Sequence, residues 1–430
     1  MRILYHSAAP WVGTGYGRCT QEIAPRVHNS GHEVAIQTLG SLNRDSIWWH
    51  GDELYYDMDD PMRIMPTQDP NGKNTLGMNG VPGNFSDFDA DLYFTHFDTW
   101  INGVRQAIAN MKVPYASYVI VDHYPAPQAV VEQVMNANRV IAMSKWAKMA
   151  LEQRGVRPIY IPHGVNTDNF YPNKDNDRAT IDVKTDDDEM KEVDLNDRFV
   201  VGIVSANIGD RKQIPKQLMA FNMFLNNVDS DAILYLHSDA SSGEGFRVAE
   251  VANEIGIPKE NIMYCPPNLY GSVGDDYLND WYNNFDVLLN CSIGESWGLT
   301  ITEAMATETP VIATNFSSMP EQLGMNPGDT GEQLFSLGEG LESRGGVTKA
   351  PHGVLVNPCV PIWRERVSSQ QAVPHHQDIF QAIKYYYDHP EVREADGIAA
   401  REHVMNNYTW EDHVVPSFIN MFDQIEMEIT

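Results

Sequence analysis

The sequence predicts a protein of two α/β domains, each built on an open, doubly wound sheet of mostly parallel strands. Short apolar runs alternate with helical stretches, and this alternation starts twice, near residue 2 and again near residue 199. The chain has 430 residues, which is long for a single hydrophobic core. Two successive modules of this kind predict a cleft lined by the carboxyl ends of their strands.

The first module, interpreted as the acceptor domain, begins with a pattern typical of a doubly wound α/β domain. An apolar run at residues 2–6 predicts a buried strand, and a loop containing Gly13, Gly15 and Gly17 follows it. A helix is then predicted over residues 18–29. Further strands are predicted at residues 33–37, 91–95, 115–121, 139–143 and 158–162, with long loops over residues 41–90.

The second module follows an acidic segment. Residues 166–198 are predicted to form a solvated linker, because acids outnumber bases there. The sequence thus divides into an N-terminal domain (1–165), the linker, a C-terminal domain (199–410) and a final helix (about 411–430) that returns to the first domain. In the second domain, strands are predicted at residues 199–204, 232–237, 262–265, 287–290 and 310–314, a helix at 215–226, and mostly loops over 324–375.

Composition restricts the partners and the compartment. The formal net charge of -29 argues against nonspecific binding to nucleic acid or to anionic membranes, although a modified nucleobase is not excluded. Four cysteines without a C-x-x-C pair indicate neither a disulfide framework nor a zinc site, which favours a cytoplasmic protein. No apolar run is long enough to span a membrane, and no secretory signal is predicted at the N-terminus.

The most informative motif is the stretch that contains Glu295 and Glu303. A glycine-containing loop leads there into a helix, and a helix N-terminus attracts phosphate through its N–H groups and its dipole. Carboxylates beside such a site can accept hydrogen bonds from sugar hydroxyls. The combination predicts a pocket for a nucleotide diphosphate sugar, which neither feature would predict alone.

Four motifs together resemble a known family. Glu295 and Glu303 are separated by seven residues, as in an E-x7-E signature, and the basic pair Arg211 and Lys212 follows a predicted strand. The N-terminal glycine loop and residues 160–166 complete the pattern. The chain resembles the retaining GT-B glycosyltransferases of family four (glycosyl transferases group 1) over nearly its whole length, and the E-x7-E motif is the specific part.

The resemblance implies roles for the basic pair and the two glutamates. Arg211 and Lys212 would neutralise the diphosphate as it leaves. Many family members carry another arginine about where Ala206 or Asn207 lies in this sequence. Arg211 could take over its role, or the Asn207 side chain could donate a hydrogen bond to the phosphate instead. Glu303 would accept hydrogen bonds from the ribose, and Glu295 from the transferred sugar. Structural alternatives also exist: an exposed basic pair, or a Glu303 that only complements the helix dipole.

The backbone around the motif is expected to contact the donor as well. The N–H groups of four residues would face the sugar and the diphosphate, and the base would lie against the loop at Cys265 and Pro266. Trp297 could equally be a packing residue. The four residues are Trp297, Gly298, Leu299 and Thr300.

In the first domain, several residues are candidates for contact with substrates. Gly13, Gly15 and Gly17 would let the backbone approach the diphosphate or the acceptor, unless they form a tight turn without a ligand. By the resemblance, Asp122 or His123 contacts the donor sugar, unless both are ordinary polar residues at the end of a strand. His96 is a weaker candidate for acceptor contact, and His163 is expected to shape the hinge.

The predicted enzyme is a hexosyltransferase without a metal or cofactor, whose co-substrate is a UDP- or GDP-linked sugar. The acceptor would be a hydroxyl of unknown class, and the oligomeric state is unknown. Two alternatives are a nucleotide-sugar 2-epimerase of the same fold and a non-catalytic nucleotide-sugar-binding protein. A Rossmann oxidoreductase is disfavoured, because the glycines read G-x-G-x-G and no acid follows the second strand.

Overall fold

The computed structural model divides into two compact units, which are described separately. The first comprises Met1–Gly164, Glu365–Ser369 and Trp410–Thr430, and the second comprises Val165–Arg364 and Gln370–Thr409. The structure describes the chain except residues 41, 43–44, 53–55, 68–75, 99–112, 174–178, 185–189, 240–244, 267–269, 271–272, 327–344 and 430.

The first unit contains a sheet in which the described strands have the order β3-β4-β2-β1-β5-β6-β7-β8. All neighbouring pairs are parallel except β3 and β4. The strands are β1 (Arg2–Ser7), β2 (Glu33–Thr38), β3 (Ile47–Asp52), β4 (Tyr56–Met65), β5 (Leu92–Thr95), β6 (Tyr115–Val119), β7 (Arg139–Ala142) and β8 (Ile159–Tyr160). The helices are α1 (Gly15–Asn29), α2 (Val81–Phe88), α3 (Gln128–Val134), α4 (Lys145–Glu152) and, at the C-terminus, α12 (Val415–Ile429).

Local sequence explains how this sheet begins. The side chains of Ile3 and Leu4 are completely buried, so β1 lies at the centre of the core between β2 and β5. Helix α1 starts directly after the glycine loop, because the Thr14 hydroxyl accepts a hydrogen bond from the Gly17 N–H and caps the helix. Helix α12 packs over this core, with the ring of Phe418 edge-on to Tyr118.

The second unit contains a sheet in which the described strands have the order β13-β12-β11-β14-β15-β17-β16, parallel except for β16 and β17. The strands of this unit are β9 (Thr180–Lys184), β10 (Met190–Asp194), β11 (Val200–Val204), β12 (Ile233–His237), β13 (Ile262–Tyr264), β14 (Val287–Asn290), β15 (Val311–Thr314), β16 (Val347–Ala350), β17 (Gly353–Val356), β18 (Pro358–Arg364) and β19 (Ser369–Pro374). The helices are α5 (Ile214–Asn227), α6 (Val248–Ile255), α7 (Asp275–Asn284), α8 (Leu299–Ala306), α9 (Met319–Gln322), α10 (His376–Asp388) and α11 (Pro390–Asn407).

Three segments predicted as loops contain regular structure. In residues 41–90, β4 pairs with β2, because Met62, Ile64 and Met65 are buried although polar residues surround them in the sequence. In residues 166–198, β9 and β10 form an antiparallel pair; the acidic centre at residues 186–189 lies outside the described residues. In residues 324–375, β16 and β17 extend the main sheet, and β18 and β19 form a separate two-stranded sheet.

None of the helices described here combines the length and the apolarity that a membrane crossing requires.

Candidate functional site

Glu295 lies in the loop between β14 and α8, and its backbone is held on both sides. The Glu295 N–H donates to the Ser317 hydroxyl over 2.9 Å, and the Glu295 carbonyl accepts from the Ser318 hydroxyl over 2.9 Å. Ser317 has φ of +56°, a left-handed conformation that non-glycine residues rarely adopt. The loop after β15 therefore fixes the position of Glu295.

The Glu295 carboxylate is buried and binds two cations. Arg211 donates to Oε2 over 2.7 Å, and the Lys212 Nζ donates to Oε1 over 2.5 Å. Burial on its own would raise the pKa of Glu295, but the charges of Arg211 and Lys212 outweigh it and lower the pKa to about 2. The site thus holds a fixed carboxylate and two cations, which is the pattern needed to bind a polar, anionic ligand.

The segment between β11 and α5 presents the two cations. The Ile293 N–H donates to the Arg211 carbonyl over 2.9 Å, and the Arg211 guanidinium donates to the Gly294 carbonyl over 3.0 Å. These bonds join this segment to the Glu295 loop. Arg211 and Lys212 are therefore placed by both backbone and side-chain contacts.

The prediction that Asn207 donates to a phosphate is not supported. Its side-chain amide donates both hydrogens internally, to the Asp239 carbonyl at 2.7 Å and to the Phe246 carbonyl at 2.6 Å. Its amide oxygen accepts from the Phe246 N–H at 2.9 Å. An amide has two N–H donors, and both are used here. Asn207 stabilises the segment instead of presenting a donor to a ligand.

Glu303 is a second buried carboxylate, and it lies in the second turn of α8. Its Oε2 accepts a 2.7 Å hydrogen bond from the hydroxyl of Tyr282 on α7. The alternative that Glu303 complements the helix dipole is wrong, because α8 starts at Leu299 and its first turn contains no acidic residue. Tyr282 is completely buried, so it restrains the Glu303 carboxylate at the edge of the site.

The residues that open α8 differ in what they can offer a ligand. The Gly298 N–H already donates to Gln322 Oε1 at 3.3 Å, so the prediction that it faces the diphosphate is not supported. Trp297 is buried with its ring edge-on to Tyr408, which supports the packing alternative for its side chain. Leu299 and Thr300 form the first turn of α8, as the motif predicted.

Cys265 and Pro266 follow β13, where the base was expected. Cys265 is buried, and its N–H donates to the Leu236 carbonyl at 2.9 Å as part of the sheet. Burial raises the pKa of its thiol. Its side chain and N–H are thus structural, whereas Pro266 is half-buried at the start of the loop. Residues 267–269, which continue this loop, lie outside the described residues.

In the first unit, the glycine loop makes a close backbone contact. A Cβ atom at Gly17 would lie 2.0 Å from the Val12 carbonyl oxygen, so only glycine fits there. Gly15 and Gly17 lie in the first turn of α1, and Gly13 lies in the loop before it. The tight turn is thus present.

Asp122 and His123 lie just beyond β6, which ends at Val119, two residues earlier than predicted. Their side chains contact each other, with 2.5 Å between His123 Nδ1 and Asp122 Oδ1. Both side chains are about one-sixth exposed, at 16% each. They form a polar pair at the carboxyl end of the strand, where α/β proteins bind ligands.

His96 and His163 belong to a buried cluster rather than to a surface. The Cys19 thiol lies 3.3 Å from His163 Nδ1, and the hydroxyls of Tyr5 and Tyr118 lie 3.3 and 3.2 Å from Nδ1 of His96 and His163. The sulfur and one nitrogen of each histidine lie within 4.8 Å of one another, as ligands of a metal ion could. Acceptor contact by His96 was expected, but the residue is only 1% exposed, which places it in the core.

The family comparison matches the part of the chain that contains Glu295 and Glu303. Residues 266–337 match the family model described as Glycosyl transferases group 1. A D-inositol 3-phosphate glycosyltransferase of Streptomyces bingchenggensis is 33% identical over 127 residues, which is 26% of this chain and 27% of that relative. A protein of the same name from Streptomyces griseus is 36% identical over 83 residues, 18% of this chain and 16% of the relative. The chain thus matches about a quarter or less of the length of these curated relatives.

Solved structures match over the whole chain. Sucrose-phosphate synthase from Thermosynechococcus elongatus has a TM-score of 0.70 at 17% identity, covering 100% of both chains. HepE from Anabaena, in complex with UDP-glucose, has a TM-score of 0.65 at 13% identity, covering 99% of this chain and 100% of HepE. The predicted GT-B fold is therefore confirmed. The family-model match over residues 266–337 and these GT-B structures agree with the resemblance drawn from the motifs.

Several residues of the site could not be found by motif. Tyr282, Ser317 and Ser318 hold the two glutamates, yet none of them belongs to a recognisable pattern in the sequence. Their roles depend on contacts between elements that are distant in the chain. Arg364, which contacts the residue before Arg211, is of the same kind.

Proposed function

We propose that this protein transfers a hexose from a nucleotide diphosphate sugar to a hydroxyl acceptor with retention of the anomeric configuration. The observation that carries the proposal is the buried Glu295 carboxylate, bound by Arg211 and Lys212 beside the start of α8. Burying a carboxylate costs desolvation free energy that its two cation partners offset only in part, and such charged clusters are common at functional sites. The similarity to GT-B glycosyltransferases supports that use.

The chemistry follows from where charge develops. The bond between the anomeric carbon and the diphosphate oxygen breaks, the acceptor oxygen bonds to that carbon, and the proton of the acceptor hydroxyl passes to the departing diphosphate. Negative charge grows on the leaving diphosphate, and Arg211 and Lys212 would stabilise it more in the transition state than in the ground state. Because Glu295 is ionised, it can accept hydrogen bonds from sugar hydroxyls while it keeps the cations in place.

Glu303 would bind the ribose. Its carboxylate is oriented by the hydrogen bond from the Tyr282 hydroxyl, and carboxylate oxygens are the acceptors that ribose hydroxyls need. Asp122 and His123 are proposed to contact the transferred sugar, since they follow the end of β6.

The two cations also bear on whether the reaction needs a metal ion or a cofactor. Arg211 and Lys212 supply the positive charge that a metal ion would otherwise provide, so we propose a reaction that EDTA does not inhibit and that needs no further cofactor.

The free cysteines Cys19, Cys265, Cys291 and Cys359 support a reducing, cytoplasmic setting.

A thermal-shift panel of UDP- and GDP-linked hexoses tests the proposal. We expect one donor to raise the melting temperature by linkage, and the same donor to release its nucleoside diphosphate slowly in the presence of EDTA. NMR of the sugar separates the alternatives. Conversion of the donor into a 2-epimer without an acceptor would indicate an epimerase, and binding without release would indicate a silent binding protein. No binding across the panel would contradict the proposal.

A further inference from the structure

The two-stranded sheet β18–β19 is attached to the segment that carries Arg211 and Lys212. We propose that this sheet sets the position of the two cations, and that Arg364, at the end of β18, is a positioning residue for diphosphate binding. The inference rests on the proposed function, because it concerns the same cations.

The first attachment is a two-point ion pair. The Arg364 guanidinium donates to both carboxylate oxygens of Asp210, over 2.7 and 2.8 Å, although 154 residues separate them in the chain. A two-point contact fixes orientation as well as distance, because both groups are planar. Hydrogen bonding to Arg364 also holds the pKa of Asp210 below its ordinary value. Asp210 directly precedes Arg211, so the pair restrains the backbone that carries both cations.

The second attachment runs through the backbone. The Ala372 N–H in β19 donates to the Ile293 carbonyl over 3.1 Å, and the Ile293 N–H donates to the Arg211 carbonyl over 2.9 Å. The Lys216 ammonium donates to the Pro374 carbonyl over 3.3 Å. The β18–β19 sheet thus contacts the cation segment at Asp210, reaches Arg211 through Ile293, and contacts Lys216 in the helix that follows.

The cation segment depends on such restraints because its own backbone is unusual. Gly209 and Gln213, which lie on either side of the cations, both have left-handed φ values, +56° and +49°. Gln213 is not a glycine, so its conformation is unfavourable without support from surrounding contacts. Without the Asp210–Arg364 pair, we expect the segment to sample other conformations, and diphosphate binding would then have to order it.

A double-mutant cycle tests the inference. The variants are D210N, R364Q and the double variant, and the probes are UDP and GDP compared with UMP and GMP in calorimetric titrations. For whichever diphosphate the wild type binds, we expect each single variant to weaken binding about tenfold and the double variant to weaken it no further. Binding of the matching monophosphate should weaken by no more than about twofold in the same variants, since the cations are proposed to act on the diphosphate.

Matched controls separate positioning from general destabilisation. R364K keeps the positive charge but cannot make the two-point contact with Asp210. Its diphosphate affinity should therefore lie between those of R364Q and the wild type. Arg247 and Glu250 form an exposed Arg–carboxylate pair at 2.6 Å in the same unit, and R247Q should leave diphosphate binding unchanged. Equal losses for diphosphate and monophosphate, or additive losses in the double variant, would overturn the inference.

Hydrogen exchange keeps this test independent of the proposed function. If the wild type binds neither UDP nor GDP, the proposed function fails, and the positioning role is then judged on the amides of residues 208–214. Faster exchange there in R364Q than in R247Q would support the role of β18–β19. Unchanged exchange would overturn it, whether or not the protein binds a nucleotide.

Discussion

Each unit of the molecule contains a buried polar cluster, and the two clusters differ in charge. In the second unit, Glu295 is ionised and paired with Arg211 and Lys212. In the first unit, Cys19, His96 and His163 lie among tyrosines, and no carboxylate belongs to the cluster among the described residues. Burial lowers the pKa of His96 to about 3 and that of His163 well below its ordinary value, so both rings are neutral.

The difference indicates which cluster serves a ligand. A neutral network with internal hydrogen bonds satisfies buried polar groups and stabilises a core at little electrostatic cost. A buried ion pair contributes little to stability compared with apolar packing, and it is retained where its charges are needed. We therefore propose that the Glu295 cluster serves a ligand and that the His96–His163 cluster is structural. Substitutions in the Glu295 cluster should mainly lower donor turnover, whereas substitutions in the His96–His163 cluster should mainly change stability in acid.

The largest effect is expected from K212M. Removing one of two cations from the developing diphosphate charge should lower the release of nucleoside diphosphate from the preferred donor by about 100- to 1,000-fold. The matched control is K384A, because Lys384 lies in the same unit but pairs with Asp388 on α10. Circular dichroism establishes that both variants are folded. Equal rates in the two folded variants would remove the basis for calling the Glu295 cluster functional.

A smaller effect is expected from E303A. Hydrogen bonds to a charged group are worth about 1.5–3 kcal/mol, so the variant should bind the donor about ten- to 100-fold more weakly. Calorimetric titration measures the affinity, and E250A is the control because Glu250 is exposed. The wild type should also prefer the donor over its 2′-deoxy analogue, and E303A should lose most of that preference. An unchanged affinity in folded E303A would refute the ribose assignment.

The smallest effect on the donor is expected from H96N, whose main consequence is on acid stability. Between pH 6.5 and about 3 the unfolded chain binds a proton at His96 and the native state does not, so native stability falls as the pH falls. One such group contributes up to about 1.4 kcal/mol per pH unit. Glu295 has a lowered pKa instead, so its contribution is present above pH 4.5 and is lost only between 4.5 and about 2.

Urea unfolding of the wild type and H96N at several pH values above 4.5 therefore isolates the histidines from Glu295. H96N should show the shallower decline in the free energy of unfolding on acidification, and its donor affinity should stay within about twofold of the wild type. The same slope in both proteins, or a large loss of donor affinity, would show that the first-unit cluster is not a neutral structural core.

Much of the fold could be predicted because its strands are short, continuous apolar runs. Such runs mark β1, β11 and β14 in the sequence, and buried parallel strands have this composition. Strand β4 was missed, because its buried residues are mixed with polar ones. The β18–β19 sheet was missed for a similar reason, since Val360 and Trp363 are exposed and no regular alternation marks the strands.

The candidate site was only partly predictable. Glu295 and Glu303 share one local motif, so their spacing is visible in the sequence. The prediction for Asn207 was wrong, because a side chain's hydrogen-bond partners come from loops distant in the chain. Tyr282 and Arg364 were missed for the same reason, since each acts on a residue at least 20 positions away.

The most direct test is a crystal structure of the protein soaked with its preferred UDP- or GDP-hexose. The account predicts diphosphate density within hydrogen-bond distance of Lys212 and Arg211, with the ribose on Glu303. Density for the diphosphate beside His96 and His163, with none near Arg211 and Lys212, would contradict it.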